Sequence, residues 1–251
     1  MTQYDNDFSF KVETLPKGEA ITYEEAEEYL LNKLEESNGT CKQTLWQLVR
    51  TYRLMEKQDD ALNCIYRLLK LSDDTEENAS FFLSLGQITE QKGNYPAAIE
   101  CYRGAFYLKP STTEVWYLIN NNLGFCLNTL KRYDEAEGYL SAAIKIDPTR
   151  ANAYKNLGLC FMGRGDYISA VGYFINSTKV NASDPRSLRH LEELLSDHPE
   201  LLEESPNLSE TLVKCRKAVE VALACQPDFE GHWEKLRNQK SGIVDSRSKS
   251  N

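Results

Sequence analysis

A Leu-Gly pair that returns at a regular spacing is the feature that most constrains the fold of this chain. The pair stands at Leu85-Gly86, Leu123-Gly124 and Leu157-Gly158. Each glycine is followed by an alanine twelve residues later, a bulky residue four after that, and a small residue three further on. Internal spacing that recurs in this way is typical of stacked repeats. A stack buries its core between neighbouring repeats and leaves one long surface free for a partner.

Within each repeat, the apolar residues predict two helices. Phe82, Leu85 and Ile88 are spaced by three and would form one face of a helix. Gly93-Asn94 interrupts this pattern, and Pro96 suits the first turn of a second helix. Two antiparallel helices of this length make a helical hairpin. We therefore expect an all-α fold, an α-solenoid of helix hairpins.

The repeats divide the chain into consecutive segments. Three repeats are predicted at residues 79–112, 117–150 and 151–184, preceded by a degenerate repeat at 42–75 and a half repeat at 22–37. The half repeat begins with a capping box, Thr22 at the N-cap and Glu25 three residues later. Residues 113–116 are an excess over the period and predict an extra turn on a first helix. The repeat domain as a whole spans residues 21–182.

The ends of the chain depart from the repeat pattern. Residues 184–237 predict helices that cap the stack, because a terminal repeat must shield its apolar face from water. Residues 1–20 and 238–251 are predicted to be disordered tails, the second being rich in serine and charge.

Composition excludes several classes of partner. The net charge is −9 at pH 7, whereas proteins that bind phosphate backbones need clustered Lys and Arg. We therefore expect no nucleic-acid partner. The chain has no signal-like leader and no apolar run of 18 residues, so we expect no membrane insertion. Its seven cysteines form no CxxC pair, which argues against zinc and favours free thiols in a cytoplasmic protein.

The repeats resemble the tetratricopeptide repeat family. Its 34-residue pattern places Leu-Gly at positions seven and eight, aromatic residues at four, eleven and twenty-four, alanine at twenty and twenty-seven, and proline at thirty-two. The repeat at 151–184 supplies Tyr154, Leu157, Gly158, Phe161, Ala170 and Phe174, but has Ser177 and Ala182 at the last two places. The resemblance covers residues 42–182 and implies a right-handed superhelix that binds proteins.

The resemblance also implies a binding groove. In this family the first helix of each hairpin lines the concave face, and Asn122 and Asn156 both hold its sixth position, on successive repeats. An amide can both donate to and accept from the backbone of an extended peptide. The alternative is that these amides are solvated or bond to the adjacent hairpin. The further groove candidates are Ser84, Gln87, Asn121, Phe125, Asn128, Asn152, Lys155 and Leu159.

One specific groove chemistry is not expected. Chaperone-binding members hold a terminal carboxylate with five residues of fixed type across three repeats. Here those five places hold Leu83, Gln87, Asn122, Asn152 and Asn156, which include one match and no cation. Starting one repeat later, with Arg186 and His190 from the segment after Asp184, gives only a weak match.

No catalytic pattern stands out from the repeats. His190, His198 and His232 lack the spacing of metal ligands, and there is no phosphate-binding loop or nucleophile elbow. We therefore expect neither an enzyme nor a cofactor. Three functions remain: a scaffold or adaptor that binds a protein segment in its groove, a structural subunit that self-associates or assembles through its convex face or C-terminal helices, and a dedicated chaperone. Leu212, Val219 and Leu223 are the candidates for assembly.

Overall fold

The computed structural model describes residues 22–225, and this part of the chain folds into twelve α-helices without a strand. The all-α prediction is therefore confirmed. The chain divides between Asp74 and Thr75 into two compact units. Both predicted tails, and the part of the predicted capping segment after Cys225, lie outside the described residues.

The first unit contains three helices, α1 (Tyr23–Glu36), α2 (Lys42–Leu54) and α3 (Gln58–Leu71). The capping box of α1 is present, as predicted. The Thr22 hydroxyl accepts a hydrogen bond from the Glu25 amide at 3.2 Å, and the Glu25 carboxylate accepts one from the Thr22 amide at 2.8 Å. Helices α2 and α3 pack as a hairpin around fully buried leucines and Ala61, the alanine of the degenerate repeat.

The second unit contains the three regular hairpins and the C-terminal helices. The hairpins are α4 (Thr75–Gln91) with α5 (Tyr95–Tyr107), α6 (Thr113–Thr129) with α7 (Tyr133–Ile146), and α8 (Ala151–Gly163) with α9 (Tyr167–Val180). Each hairpin packs on the next, and the first helices also contact one another, α4 with α6 and α6 with α8. This unit is thus an α-solenoid in which α4, α6 and α8 form one row.

The repeated residues serve close packing within each hairpin. A Cβ atom placed on Gly86 would lie 2.6 Å from Cδ1 of Tyr102, and one on Gly158 would lie 2.6 Å from Cε1 of Phe174. Both rings are fully buried. The glycine therefore provides the room for the bulky residue of the opposite helix. A larger residue in place of the glycine would clash with that side chain.

The extra turn predicted at residues 113–116 is present, since α6 begins at Thr113. A second extra turn was not predicted: α4 begins at Thr75, before the repeat proper. It brings the Glu76 carboxylate to the loop after α5. There the carboxylate accepts two hydrogen bonds from Ser111, from its backbone amide at 2.7 Å and from its side-chain hydroxyl at 3.1 Å. It also accepts one from the backbone amide of Thr112 at 3.0 Å.

Replacing Glu76 with glutamine should lower the stability of the second unit at pH 5 and make its stability less dependent on pH below that. Hydrogen bonds from Thr112 and Ser111 lower the pKa of Glu76 to about 2. A carboxylate with a depressed pKa stabilises the fold above its ordinary pKa near 4.5, and this stabilisation is lost as the pH falls towards 2. At a partly exposed site we expect about 1 kcal/mol. Urea unfolding of the natural protein and of Glu76→Gln between pH 5 and pH 2.5 measures this difference in stability. An equal pH dependence of the unfolding free energy in the two proteins would contradict the expectation.

The C-terminal helices are α10 (Arg186–Asp197), α11 (Glu200–Glu204) and α12 (Pro206–Ala224). Helices α10 and α12 pack against α9, so they cover the end of the repeat core. The short α11 was not predicted. Leu212, Val219 and Leu223 are buried inside this cluster. Their proposed role in assembly is therefore wrong for these side chains, because intramolecular packing already uses their apolar surfaces.

Candidate functional site

All ten groove candidates lie on α4, α6 and α8, the row of first helices. Six of them are buried, and the amides of Asn122 and Asn156 are 2% and 0% exposed. The other four are half-buried: Phe125, Asn128, Asn152 and Leu159. We call the six buried polar residues the floor of the row: Ser84, Gln87, Asn121, Asn122, Lys155 and Asn156. The other four candidates are half-exposed.

The floor amides bond to one another across the repeats. Asn156 Nδ2 donates to Asn121 Oδ1 at 3.1 Å, and Asn121 Nδ2 donates to Asn122 Oδ1 at 3.0 Å. Asn128 Nδ2 donates to the backbone oxygen of Asn156 at 3.1 Å. These bonds join α6 to α8, which is the alternative that sequence reasoning left open for the asparagines. Their donors are thus engaged within the protein.

The network continues to residues that the sequence did not single out. Asn122 Nδ2 donates to the hydroxyl of Tyr102 at 3.4 Å, and this hydroxyl donates to Glu90 Oε2 at 2.6 Å. The Cys126 thiol lies 3.7 Å from the same carboxylate oxygen. Burial, with the neighbouring Glu90 charge, raises the pKa of Cys126, so this thiol stays protonated. The sequence contained a signal for Glu90 as a groove residue. It holds the twelfth position of its repeat, and in this family that position points towards the concave face.

Two polar groups of the floor lack a partner within the described residues. Asn156 Oδ1 is buried and accepts no hydrogen bond. Lys155, its neighbour on α8, is 5% exposed, and no carboxylate of the described chain comes within ion-pair distance. Burial lowers the pKa of Lys155 to about 8, with a further lowering by Arg186 and an opposing effect of Asp184. An unpaired polar atom in the interior is costly, which makes Asn156 Oδ1 a candidate contact point for a ligand.

The half-exposed residues add two apolar spots to the row. Phe125 on α6 meets the ring of Tyr95 edge-on, with centroids 6.3 Å apart and planes at 72°. Leu159 on α8 packs against the C-terminal cluster with part of its side chain. The structure therefore places buried polar side chains and half-buried apolar side chains together on α6 and α8.

The described histidines take part in local packing. His198 stacks on Tyr167 with centroids 3.8 Å apart and bonds to Glu200 at 3.0 Å. His232 lies outside the described residues. Between residues 22 and 225 no cluster of three or more acidic, histidine or cysteine side chains has a metal-binding arrangement. In the same range no helix combines the length and apolarity needed to span a bilayer.

Comparison with known proteins identifies two of the repeats. The family model described as "Tetratricopeptide repeat" matches residues 79–112 and 117–150, the bounds predicted for two of the repeats. Among curated proteins, the BBSome complex member BBS4 of Bos taurus is 24% identical over 173 residues, which are 67% of this chain and 31% of that protein. The chain spans about a third or less of the length of the curated relatives it matches.

Solved structures share the fold. The structure of PilW, described as a widely conserved type IV pilus biogenesis factor, superposes with a TM-score of 0.61 at 16% identity, covering 84% of this chain and 90% of PilW. YrrB, described as a TPR protein with an unusual peptide-binding site, superposes with a TM-score of 0.55 at 19% identity, covering 68% of this chain and 84% of YrrB. At these identities the likeness concerns the fold alone.

Proposed function

Because this chain is a tetratricopeptide repeat protein, we propose that it is a non-catalytic scaffold or adaptor and that the row of α4, α6 and α8 binds an extended segment of a partner protein. The observation that carries this proposal is the unpartnered Asn156 Oδ1 beside the buried Lys155. YrrB, which shares the fold, is described as binding a peptide. An extended segment offers backbone N–H groups, which a free amide oxygen can accept.

The asparagines have different roles in this proposal. Asn122 and Asn121 hold the amide of Asn156 in one orientation, because each donates or accepts along the chain of bonds to Tyr102. The oxygen of Asn156 then contacts the segment. Phe125 and Leu159 bury apolar side chains of the partner, and Asn128 and Asn152 lie among them. Ser84 and Gln87 contribute to the floor at the α4 end of the row.

The groove can be tested against the second helices with matched variants. Phe125→Ala with Leu159→Ala removes an aromatic and an aliphatic side chain from the row. Tyr107→Ala with Ile168→Ala removes the same types from α5 and α9, where these side chains are 76% and 72% exposed. Affinity purification from the native organism with quantitative mass spectrometry should show partners lost at least tenfold from the first variant and retained by the second. Melting curves verify that both variants are folded.

The opposite pattern would reject the groove and favour a structural subunit. Tyr107 and Ile168 are the specific reason to keep that alternative, since both are large apolar residues exposed on second helices. If the Tyr107 and Ile168 variant alone loses its partners, assembly runs through these helices. Light scattering at several concentrations addresses self-association directly, because a constant monomer mass would exclude a homo-oligomer.

A cytoplasmic location belongs to the same proposal. The cysteines in the described part are free, and Cys64, Cys126 and Cys160 are buried. Burial raises the pKa of each of these thiols, which keeps them unreactive. Buried free thiols are most common in a reducing compartment.

A further inference from the structure

A chain of hydrogen bonds runs in one direction through the three regular hairpins. Asn156 donates to Asn121 at 3.1 Å, and Asn121 donates to Asn122 at 3.0 Å. Asn122 donates to the Tyr102 hydroxyl at 3.4 Å, and that hydroxyl donates to Glu90 Oε2 at 2.6 Å. We call these five side chains the relay. It leads from α8 through α6 and α5 to α4.

Four members of the relay do not fix its direction by their own chemistry. An asparagine amide has an oxygen that accepts and an NH2 group that donates, and turning the amide over exchanges the two. A hydroxyl can likewise donate to either of two neighbours and accept from the other. Asn156, Asn121, Asn122 and Tyr102 could therefore form the same bonds in the reverse direction.

Glu90 is the exception, because an ionised carboxylate only accepts hydrogen bonds. The 2.6 Å between its Oε2 and the Tyr102 hydroxyl is typical of a hydroxyl that donates to a charged oxygen. The Cys126 thiol donates to the same oxygen at 3.7 Å. Glu90 is also buried, with 8% of its surface exposed. It is therefore a fixed acceptor at one end of the relay.

This fixed acceptor decides the orientation of the other members. The single proton of the Tyr102 hydroxyl goes to Glu90, so towards Asn122 the hydroxyl can only accept. Asn122 must then present its NH2 group to Tyr102 and its oxygen to Asn121, and Asn121 repeats this step towards Asn156. Asn156 is left with its NH2 group inside the relay and with a buried oxygen that accepts nothing.

We propose that Glu90 is a positioning residue that makes Asn156 present a hydrogen-bond acceptor to the partner segment, two hairpins away. The segment must offer an N–H or O–H donor at this point, since a carbonyl or carboxylate would place two acceptors together. Glu90 acts without touching the segment, because it lies on α4 and Asn156 on α8, and both helices pack against α6. This specificity rests on the proposed function, whereas the relay is a property of the free protein.

A double-mutant cycle in the full chain tests the proposal. Asn156→Asp keeps the shape of the amide but replaces its donor with a second acceptor, which would face the oxygen of Asn121. We expect the melting temperature to fall by at least roughly 3 °C, because two buried acceptors then oppose each other.

Glu90→Gln should rescue this variant. It supplies a donor at the far end of the relay, so that every member can turn over and Asn121 can donate to the carboxylate of Asn156→Asp. Glu90→Gln should therefore raise the melting temperature of Asn156→Asp by at least roughly 3 °C relative to its effect in the natural protein.

Tyr102→Phe separates the relay from a change of charge. It removes the hydroxyl that links Glu90 to Asn122 and leaves the carboxylate in place. Asn122 and Asn121 can then turn over as well. Tyr102→Phe combined with Asn156→Asp should therefore melt at least roughly 2 °C higher than the two separate losses predict when they are added.

Thr89→Val is the matched control on α4. The Thr89 hydroxyl donates to the backbone oxygen of Leu85 at 2.7 Å, so it lies next to Glu90 in sequence and outside the relay. Its effect on the melting temperature should add to that of Asn156→Asp within roughly 1 °C.

Two results of the cycle would overturn the proposal. Additive effects of Glu90→Gln and Asn156→Asp would show that the two residues are not linked. Rescue by Glu90→Gln without rescue by Tyr102→Phe would show that the coupling is repulsion between two charges.

Hydrogen exchange of the Asn156 side-chain NH2 group, followed by nuclear magnetic resonance, gives an answer even if Asn156→Asp does not fold. Glu90→Gln permits the reverse direction, in which this NH2 group lies outside the relay. Its exchange should accelerate at least about threefold in Glu90→Gln relative to the natural protein and to Thr89→Val. Equal exchange rates in the three proteins would also overturn the proposal.

The outcome is separate from that of the groove. The cycle and the exchange measurement use no partner protein, so additive effects leave the comparison of the groove variant with the second-helix variant intact. Conversely, a groove variant that keeps its partners rejects the groove even if Glu90 and Asn156 are coupled.

Discussion

Replacing Gly124 with leucine should destabilise the second unit by about 3 kcal/mol or more, because the side chain overpacks a filled interface. A Cβ atom on Gly124 would already lie 2.7 Å from Cδ2 of Leu140 and 3.3 Å from the backbone oxygen of Ala136. Leu140 is fully buried and has nowhere to move. For a chain of this size, each kcal/mol lowers the melting temperature by roughly 2–4 °C, so we expect a fall of roughly 6–12 °C by calorimetry or circular dichroism.

Gly138 provides the matched control within the same hairpin. It lies inside α7, and a Cβ atom placed there meets nothing within 4 Å. Gly138→Ala should therefore stabilise the helix by about 0.5–1 kcal/mol, since alanine loses less conformational entropy than glycine. If Gly124→Leu melts like the natural protein, the close approach of α6 and α7 is not as described.

Replacing Lys155 with methionine should stabilise the protein by about 3 kcal/mol at pH 7. Burial lowers the pKa of Lys155 from 10.5 to about 8, and each unit corresponds to about 1.4 kcal/mol. Methionine has a similar length and no charge to desolvate. Urea unfolding of the natural protein, Lys155→Met and the exposed Lys145→Met measures the difference, and Lys145→Met should change stability by less than about 0.5 kcal/mol.

The pH dependence of this difference has a definite sign. Below pH 8 the lysine is charged in both the folded and the unfolded state, so the full cost of burying the charge is present. Between about pH 8 and 10.5 the unfolded state binds more protons than the folded state, and stability rises with pH. The advantage of Lys155→Met should therefore shrink to about 1 kcal/mol or less by pH 10. An advantage that stays constant, or a less stable variant at pH 7, would show that the ammonium is solvated or paired.

The fold followed from the sequence because repeat packing is local. Gly86, Gly124 and Gly158 each oppose a bulky residue at the same separation along the chain, so one spacing predicts the three regular hairpins. The extra turn before Tyr117 was visible as four surplus residues. The extra turn of α4 was not predicted, because the preceding repeat is degenerate and gives no reference spacing. Its capping carboxylate, Glu76, joins residues that are far apart in sequence.

The candidate site was predicted less completely than the fold. The repeat register placed all ten candidates on α4, α6 and α8, where the structure has them. Register does not reveal which atoms of an amide are engaged. Asn156 donates to Asn121, whereas its own oxygen accepts nothing, and this asymmetry depends on the spacing of α6 and α8. Whether these residues bind a partner stays a prediction.

By itself, the sequence determined the number, period and register of the helical hairpins and which residues line their first helices, because these depend on contacts within about forty residues. Only the tertiary structure decided the state of those residues. It buried Lys155 beside an Asp184 already held by Arg186, linked Asn122 through Tyr102 to Glu90, and buried Leu212 and Val219 inside the C-terminal cluster. The reason is physical: burial and pairing of a polar group depend on what the neighbouring helices bring within a few ångströms, and a one-dimensional pattern does not contain these distances.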